Sequence, residues 1–168
     1  MNHTPAQVSV LFVCMGNICR SPTAHGVLRQ KLKQHGLEKL VAVDSAGTHG
    51  YHRGSPPDER AQEHALKRGY DLSDLKARQL HTRDFNAFDL ILVMDWDNLA
   101  AVKEVCPSGS DGKVKRLTEF CLNFTTEVVP DPYYGGAKGF EHVLDLVEDA
   151  CDGVIADVKT KLADIKNQ

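Results

Sequence analysis

Residues 8–22 read Val8-Ser9-Val10-Leu11-Phe12-Val13-Cys14-Met15-Gly16-Asn17-Ile18-Cys19-Arg20-Ser21-Pro22. The apolar, β-branched start of this stretch, residues 8–13, predicts a buried strand. Ser21-Pro22 is typical of a helix start, because proline is favoured at the first helical position. We predict that this helix runs to about Gln34 and stops before Gly36. Strand, short loop and helix in this order predict the first unit of an α/β sheet.

The alternation of strands and helices continues along the chain. We predict further strands at residues 40–44, 90–94 and 113–117, and helices at residues 57–68, 97–105 and 137–166, with Gly153 breaking or bending the last of them. This pattern predicts a single α/β domain over residues 1–168, with about four parallel strands flanked by helices on both faces, flavodoxin-like and doubly wound. Ligands of such sheets bind where strands end, and we expect Cys14, Ser45 and Asp95 to follow three strands on one rim.

Composition excludes several functional classes. The 168 residues carry a net charge of −3 without a basic cluster, so we expect no nucleic-acid partner. The longest apolar run, Val10 to Met15, is far too short to span a membrane. The N-terminus lacks the basic start and apolar core of a signal peptide, and the five cysteines are an odd set. We therefore expect a cytoplasmic protein whose thiols serve chemistry or packing.

The loop after the first strand has the composition of an oxyanion site. A short loop before a helix N-terminus can point its backbone N–H groups inward, where they bind a phosphate-sized anion. Gly16 permits a close approach or an unusual backbone angle, and Arg20 can grip two phosphate oxygens. The same positive field favours the thiolate of Cys14, which is placed to attack phosphorus. This chemistry requires no metal and no other cofactor, because the amides and Arg20 supply the positive charge.

Other interpretations of this loop exist. Cys14 and Cys19 could be half of a zinc site, but Cys106 and Cys121 are isolated and supply no second pair. Cys14 could also be a small apolar residue buried after a strand. Neither the Gly-Lys-Ser/Thr phosphate loop nor a Gly-x-Gly-x-x-Gly run occurs, so the common nucleotide sites are not predicted.

Residues 13–22 resemble the signature of the low-molecular-weight protein tyrosine phosphatases. Four further segments resemble this family in the same order: Asp44-Ser45-Ala46-Gly47-Thr48, Ala77-Arg78-Gln79-Leu80, Val93-Met94-Asp95 and Asp131-Pro132-Tyr133-Tyr134-Gly135-Gly136. The resemblance covers the chain from about Val8 to Leu162. It implies hydrolysis of phosphotyrosine in two steps, in which Cys14 takes the phosphoryl group and water then releases it.

The resemblance also implies roles for individual residues. By themselves the prolines beside Asp131 indicate a turn, but the family places its general acid and base at this position. The implied phosphate-binding loop comprises Met15, Gly16, Asn17, Ile18, Cys19, Arg20 and Ser21, and the implied supporting residues are Asn17, Ser21, Ser45 and Asp95. Ser45 would reach Asn17, Asp95 would fix loop backbone, and Ser21 would contact Cys14 or cap the helix. Tyr51, Tyr133 and Tyr134 would form the pocket walls, with Trp96 either at the rim or simply exposed.

One position departs from the family, and neighbouring functions stay open. Leu75 stands where relatives often carry a histidine, which puts part of the supporting network in doubt. Arsenate reductases share the anion loop but need two further, closely spaced cysteines, and none lies between Cys19 and Cys106. Arginine phosphatases tend to carry threonine where this loop has Ile18. An inactive phosphate-binding relative is the alternative that is not an enzyme.

Cys19 suggests a means of regulation, with a simple packed thiol as the alternative, and the resemblance suggests the partners. Oxidation of Cys14 to a sulfenic acid, trapped as a Cys14–Cys19 disulfide, would switch the enzyme off reversibly. The expected partners are phosphotyrosine-containing proteins, with a tyrosine kinase among the candidates. We expect a monomer or a weak dimer.

Overall fold

The fold alternates strands and helices, as the sequence predicts. The computed structural model describes residues 5–168. The expectation of no export depends partly on residues 1–4, which lie outside the described residues. In chain order the elements are β1 Val8–Cys14, α1 Arg20–Gln34, β2 Val41–Gly47, α2 Glu59–Lys67, α3 Asp84–Ala87, β3 Leu90–Val93, α4 Trp96–Val105, β4 Val114–Arg116 and α5 Ala137–Lys166, with 3-10 turns at Asp111–Lys113 and Leu117–Phe120.

The four strands form one parallel sheet in the order β2-β1-β3-β4. Strand β1 lies between β2 and β3, with Cys14 opposite Gly47 and Val13 opposite Val93. The chain first adds β2 on one side of β1 and later adds β3 on the other side, so the strand order reverses at β1. Doubly wound sheets bind ligands at such a switch point, which here is the carboxyl end of β1. The predicted fold class is confirmed.

Each face of the sheet has its own hydrophobic core. On one face Phe12 and Leu92 pack with residues of α1 and α5, such as Leu28 and Val147. On the other face Leu11, Ile91 and Val93 pack against Phe85 of α3 and Val102 of α4. The strand residues alternate between the two cores because successive side chains point to opposite faces of a sheet. Because β1 is packed on both faces, its end at Cys14 has a fixed position from which the following loop begins.

Several element boundaries differ from the sequence-based prediction by one to three residues, and two of these differences bear on the site. Helix α1 begins at Arg20 with Cys19 at the N-cap position, so Ser21 lies in the first turn and is not the cap. Strand β2 continues to Gly47, so Ser45 lies inside the strand and does not follow it. The extension is possible because a Cβ on Gly47 would lie only 2.7 Å from the carbonyl oxygen of Met15. Glycine at this position lets β2 run closely beside the loop.

The predicted break at Gly153 is wrong, because α5 is continuous from Ala137 to Lys166. A Cβ on Gly153 would overlap the carbonyl oxygen of Phe120. Glycine therefore serves the close packing of the 3-10 turn Leu117–Phe120 on the helix. The four-residue helix α3 was not predicted, and its Asp84 is buried against Arg78, which donates from Nη1 over 3.0 Å. No helix among residues 5–168 has the length and apolarity needed to cross a bilayer.

Candidate active site

A pocket opens at the carboxyl end of β1. Its lining comprises Cys14, Met15, Gly16, Ile18, Cys19, Arg20, Tyr51, His52, Asp131, Tyr133 and Tyr134. The structure thus brings the expected nucleophile, arginine, acid and three tyrosines together at the switch point of the sheet. Trp96 is not part of this lining. It is 48% exposed, and the guanidinium of Arg116 lies 4.1 Å from the centre of its ring.

The loop from Cys14 to Ser21, called the phosphate loop below, is shaped by Asn17. This residue is buried and has a φ of 58°, a left-handed conformation that asparagine tolerates better than most residues. Asn17 Oδ1 accepts from the backbone N–H of Arg78 over 3.0 Å, and Nδ2 donates to Ser21 Oγ over 2.7 Å. The turn is therefore fixed from two sides.

Gly16 has a negative φ, and its role is a close approach. A Cβ at this position would lie 3.0 Å from Cδ2 of His52. Glycine therefore lets the loop backbone pack directly beneath the His52 ring. His52 lines the pocket, although the sequence analysis did not single it out.

The backbone of the phosphate loop offers free hydrogen-bond donors. Within residues 5–168, the N–H groups of residues 15–19 donate to no other group of the protein. The loop runs directly into the N-terminus of α1, whose dipole adds partial positive charge. Amides without an internal acceptor favour an anion in the pocket, and their number suits a phosphate-sized group.

Cys14 lies at the bottom of the pocket with only 3% of its surface exposed. Its Sγ is 3.0 Å from Ser21 Oγ, and the Ser21 oxygen accepts from Asn17 Nδ2. The Ser21 hydroxyl proton has two acceptors within reach, the sulfur at 3.0 Å and the carbonyl oxygen of Ala46 at 3.5 Å, and the shorter contact favours the sulfur. A hydrogen bond of this kind stabilises a thiolate. The structure thus gives Ser21 a contact with Cys14, and not the cap role that was the other expectation.

Arg20 is held so that one edge of its guanidinium faces the pocket. Nη1 donates to Asp95 Oδ2 over 2.6 Å and to the carbonyl of Val129 over 3.1 Å, while Nη2 lies 3.8 Å from Asp131 Oδ2. Burial alone would lower the pKa of Arg20, but Cys14 and the two carboxylates raise it above the ordinary value. Arg20 is therefore a fixed cation directly beside the thiol.

Asp95 contributes more than the sequence analysis expected of it. Its Oδ1 accepts from the backbone of Asn98 and caps helix α4, which is the expected role of fixing backbone. Its Oδ2 simultaneously orients Arg20. The second contact was missed because it joins residues 75 positions apart in the chain. A negatively charged partner keeps the guanidinium from rotating out of the pocket.

The expected contact between Ser45 and Asn17 is not present. Ser45 Oγ lies 3.1 Å from His25 Nδ1, and both side chains are buried. Because β2 extends past Ser45, this side chain faces α1 and not the phosphate loop. Leu75, which stands where relatives often carry a histidine, packs in the main core. Asn17 is held instead by the backbone N–H of Arg78.

His25 gives the folded protein a pH dependence. Burial lowers its pKa from 6.5 to about 4, despite nearby carboxylates that oppose the shift. Between these values the unfolded chain binds a proton that the folded chain does not, so stability falls as pH is lowered through this window. We expect this group to contribute a loss of about 2 kcal/mol between pH 7 and 5. The measurement is urea unfolding of wild type and His25→Gln at both pH values, in which the variant should lose less.

The exposed residue His142 offers a matched control for this measurement. His142→Gln should lose as much stability on acidification as the wild type does. An equally steep loss in His25→Gln and wild type would show that His25 does not stay neutral in the folded state.

Asp131 lines the same pocket as Cys14. Its Oδ1 accepts from the backbone N–H of Tyr133 over 3.0 Å, and the side chain is 37% exposed. Tyr133 is 40% exposed, while Tyr51 and Tyr134 are 80% and 93% exposed. An apolar ring entering the pocket would cover these exposed tyrosine faces, which adds hydrophobic and aromatic contacts. The site therefore combines an anion cradle at the bottom with aromatic walls at the mouth.

Two arginines of the site region were not identified as site residues from the sequence. Arg78 lies in the quoted Ala77-Arg78-Gln79 segment, and its backbone holds Asn17 while its side chain pairs with Asp44 and Asp84. Arg60 contacts the carbonyl of Tyr133 and carried no sequence signal. Within the described part of the chain, no cluster of three His, Cys, Asp or Glu side chains is arranged to hold a metal ion.

Comparisons with known proteins agree with this geometry. The model of the low molecular weight phosphotyrosine protein phosphatase family matches residues 9–164. The low molecular weight protein-tyrosine-phosphatase of Streptomyces coelicolor is 41% identical over 156 residues, covering 91% of this chain and 94% of that protein. The low molecular weight phosphotyrosine protein phosphatase of Gallus gallus is 40% identical over 146 residues, covering 85% and 90%.

Solved structures show the same relationship. The crystal structure of a protein tyrosine phosphatase from Entamoeba histolytica superposes with a TM-score of 0.89 at 41% identity, covering 91% of this chain and 97% of that one. Both the sequence and the fold are thus shared over nearly the whole length. The chain belongs to the low molecular weight phosphotyrosine protein phosphatase family.

Proposed function

We propose that this protein hydrolyses phosphotyrosine in proteins through a phosphocysteine on Cys14, with Arg20 as the phosphate clamp and Asp131 as the general acid and base. One observation carries the assignment of roles: Cys14, Arg20 and Asp131 line a single pocket above the free amides of the phosphate loop. The family supplies the reaction class, a protein-tyrosine phosphatase.

In the first step the phosphoryl group binds to the loop amides and to the free edge of Arg20. The Cys14 thiolate attacks phosphorus from below, and the bond from phosphorus to the tyrosyl oxygen breaks. Asp131 gives its proton to that oxygen, which avoids release of a bare phenolate. The amides and Arg20 stabilise the charge on the equatorial oxygens of the transition state.

In the second step water displaces the sulfur. The Asp131 carboxylate takes a proton from water, the water oxygen bonds to phosphorus, and the phosphorus–sulfur bond breaks. Inorganic phosphate leaves, and the Ser21 hydroxyl donates a hydrogen bond to the regenerated thiolate over the 3.0 Å contact. The cycle ends with Cys14 as a thiolate and Asp131 protonated, ready for the next substrate.

The depth of the pocket supports tyrosine as the residue type. The nucleophile is almost fully buried, and the tyrosines stand at the mouth. A phosphotyrosine side chain is long enough for its phosphate to reach Cys14 while the substrate backbone stays outside. Phosphoserine is too short to do so, and it lacks the ring that would pack between the walls.

Turnover of matched phosphotyrosine, phosphoserine and phosphoarginine peptides tests this proposal. We expect phosphate release from phosphotyrosine at a rate at least about 100-fold above that of the other two, and the same rate in the presence of a chelator. Preference for phosphoarginine would favour the arginine-phosphatase alternative. Absence of all turnover by freshly reduced protein would favour the inactive phosphate-binding relative.

Redox control at Cys14 and Cys19 forms part of the proposal. Peroxide would convert the Cys14 thiolate to a sulfenic acid, and the Cys19 thiol would displace water from it to form a disulfide. Burial raises the pKa of Cys19 to about 12, so Cys19 is a thiol at neutral pH and Cys14 is the sulfur that peroxide oxidises. When the Cys19 sulfur then attacks the sulfenic acid, its proton leaves with the departing water. A linked Cys14–Cys19 peptide in peroxide-treated protein is the expected mass-spectrometric result, and its absence would remove this part of the proposal.

The remaining expectations concern organisation and setting. We propose that residues 1–168 act as one phosphatase domain, which the family match over residues 9–164 supports. All proposed site residues come from one chain, which favours a monomer or weak dimer. A cytoplasmic location suits an enzyme that needs Cys14 reduced, and phosphotyrosine-containing proteins, a tyrosine kinase among them, are its proposed partners.

A further inference from the structure

The first turn of α2 lies between the phosphate loop and the segment that carries Asp131. Asp58 is the N-cap of α2 and accepts from the backbone N–H groups of Arg60 and Ala61, over 2.8 and 3.3 Å. The backbone N–H of Asp58 donates to the carbonyl of Ile18 over 2.8 Å. The start of α2 is therefore attached directly to the phosphate loop.

Arg60 extends from this turn in the other direction. Nε and Nη2 donate to the two carboxylate oxygens of Asp58, over 3.2 and 3.0 Å, and Nη2 also donates to the carbonyl of Tyr133 over 3.1 Å. The guanidinium carbon lies 4.8 Å from the ring centre of Phe140 and 5.5 Å from that of Tyr133. One side chain thus joins α2, the start of α5 and residues 130–135, called the acid loop below.

The contact at Tyr133 leads to the proposed acid. The N–H of Tyr133 donates to Asp131 Oδ1 over 3.0 Å, and the carbonyl of the same residue accepts from Arg60. Within residues 5–168, the Arg60 contact is the one hydrogen bond that joins the acid loop to another element. A shift of Tyr133 would therefore move the amide that orients the Asp131 carboxylate.

A simple surface ion pair does not account for this arrangement. The Arg60 side chain is 45% exposed, and an exposed pair with Asp58 would contribute little to stability. Such a pair requires neither the Tyr133 carbonyl nor the two aromatic rings. The bidentate geometry fixes the guanidinium plane, and the fixed plane is what allows it to hold a carbonyl on a different segment.

We propose that Arg60 is a positioning residue for the general acid, holding the acid loop against α2 and, through Asp58, at a set distance from the phosphate loop. The proposal rests on the proposed role of Asp131. Arg60 does not touch the substrate in this account. Its loss should weaken proton donation to the leaving group and leave the nucleophile unaffected.

The test compares two substrates in Arg60→Ala. Phenyl phosphate has a poor leaving group that needs a proton, whereas 2,4-dinitrophenyl phosphate expels its leaving group unprotonated. We expect kcat/KM for phenyl phosphate to fall about tenfold and kcat/KM for the dinitrophenyl ester to change less than about twofold. The rate at which iodoacetate alkylates Cys14 should stay at the wild-type value.

Two further variants make the result specific. Lysine in Arg60→Lys can still donate to one partner and lie over Phe140, but it cannot bridge Asp58 and Tyr133. We therefore expect kcat/KM for phenyl phosphate to fall about threefold, with little change for the dinitrophenyl ester. This variant also serves as the test if Arg60→Ala does not fold. Arg83→Ala removes an exposed arginine at the start of α3 that does not line the pocket, and should leave turnover of both substrates unaffected.

Other outcomes overturn the proposal. Equal losses on both substrates with slowed alkylation would show that Arg60 supports the phosphate loop, and no loss on either would show that the acid loop holds without it. The same loss in Arg83→Ala would indicate a general charge effect. If Asp131→Ala shows the leaving-group pattern and Arg60→Ala does not, the acid assignment stands and only the positioning role fails. If Asp131→Ala lacks that pattern, both assignments fail together.

Discussion

Cys14→Ser should lose turnover of phosphotyrosine and aryl phosphates by about 10⁵-fold in kcat, while phosphate still binds. A serine hydroxyl is protonated at neutral pH, and its neighbour at 3.0 Å is the Ser21 hydroxyl, which is too weak a base to activate it. The free amides of residues 15–19 and the guanidinium of Arg20 are unchanged by the substitution. This variant should therefore lose catalysis while it keeps the ability to bind phosphate.

Two measurements check this separation. Steady-state turnover of a phosphotyrosine peptide measures the rate of catalysis, and calorimetric titration with inorganic phosphate measures the affinity of the phosphate loop for the anion. Cys106→Ser is the matched control, because Cys106 is a free, half-buried thiol at the end of α4 that does not line the pocket. Substantial turnover by Cys14→Ser would contradict the nucleophile assignment. Loss of phosphate binding with an unchanged unfolding midpoint would contradict the anion cradle.

Asp131→Ala should show the second-largest effect, and its size should depend on the leaving group. We expect kcat/KM for phenyl phosphate to fall about 10³-fold, because general acid catalysis contributes about 10²–10⁴ to such reactions. For 2,4-dinitrophenyl phosphate we expect less than about a tenfold loss in kcat/KM, since that phenolate leaves without a proton. The hydrolysis of the phosphocysteine should also slow, because the same carboxylate activates water.

Asp131→Asn separates the acid role from a structural one. The amide oxygen can still accept from the N–H of Tyr133, so the acid loop keeps its turn, but the amide has no proton to transfer. It should therefore show the same dependence on the leaving group as Asp131→Ala. Equal losses on both substrates in the two variants would mean that Asp131 shapes the pocket and does not act as the acid.

Sequence reasoning located the elements better than it located their ends. The strand and helix predicted at residues 90–94 and 97–105 from local apolar patterning appear at Leu90–Val93 and Trp96–Val105, each within one residue of the prediction. The continuation of β2 to Gly47 was missed because Ser45 and Gly47 have turn propensity when taken alone. Pairing with β1 overrides that preference, since each additional residue gains ladder hydrogen bonds and burial.

Within the site, too, the sequence predicted local features correctly and missed a contact between distant residues. The spacing of Cys14, Gly16 and Arg20 in one loop indicates an oxyanion site, and the structure places all three in one pocket. Ser45 was expected to reach Asn17, yet it bonds His25. The error came from treating Ser45 as a loop residue. Once it lies in a strand, the alternation of side chains determines which face it occupies.

The sequence by itself determined the α/β class and the phosphate loop, because both depend on residues within one or two turns of each other. Only the tertiary structure decided which distant groups complete the site: Asp95 on Arg20, the Arg78 backbone on Asn17, and Arg60 on Tyr133. These contacts join segments that become neighbours through the strand order β2-β1-β3-β4 and the packing of α2 and α5. Local propensity carries no information about such distances, because they depend on how the whole chain buries its apolar faces.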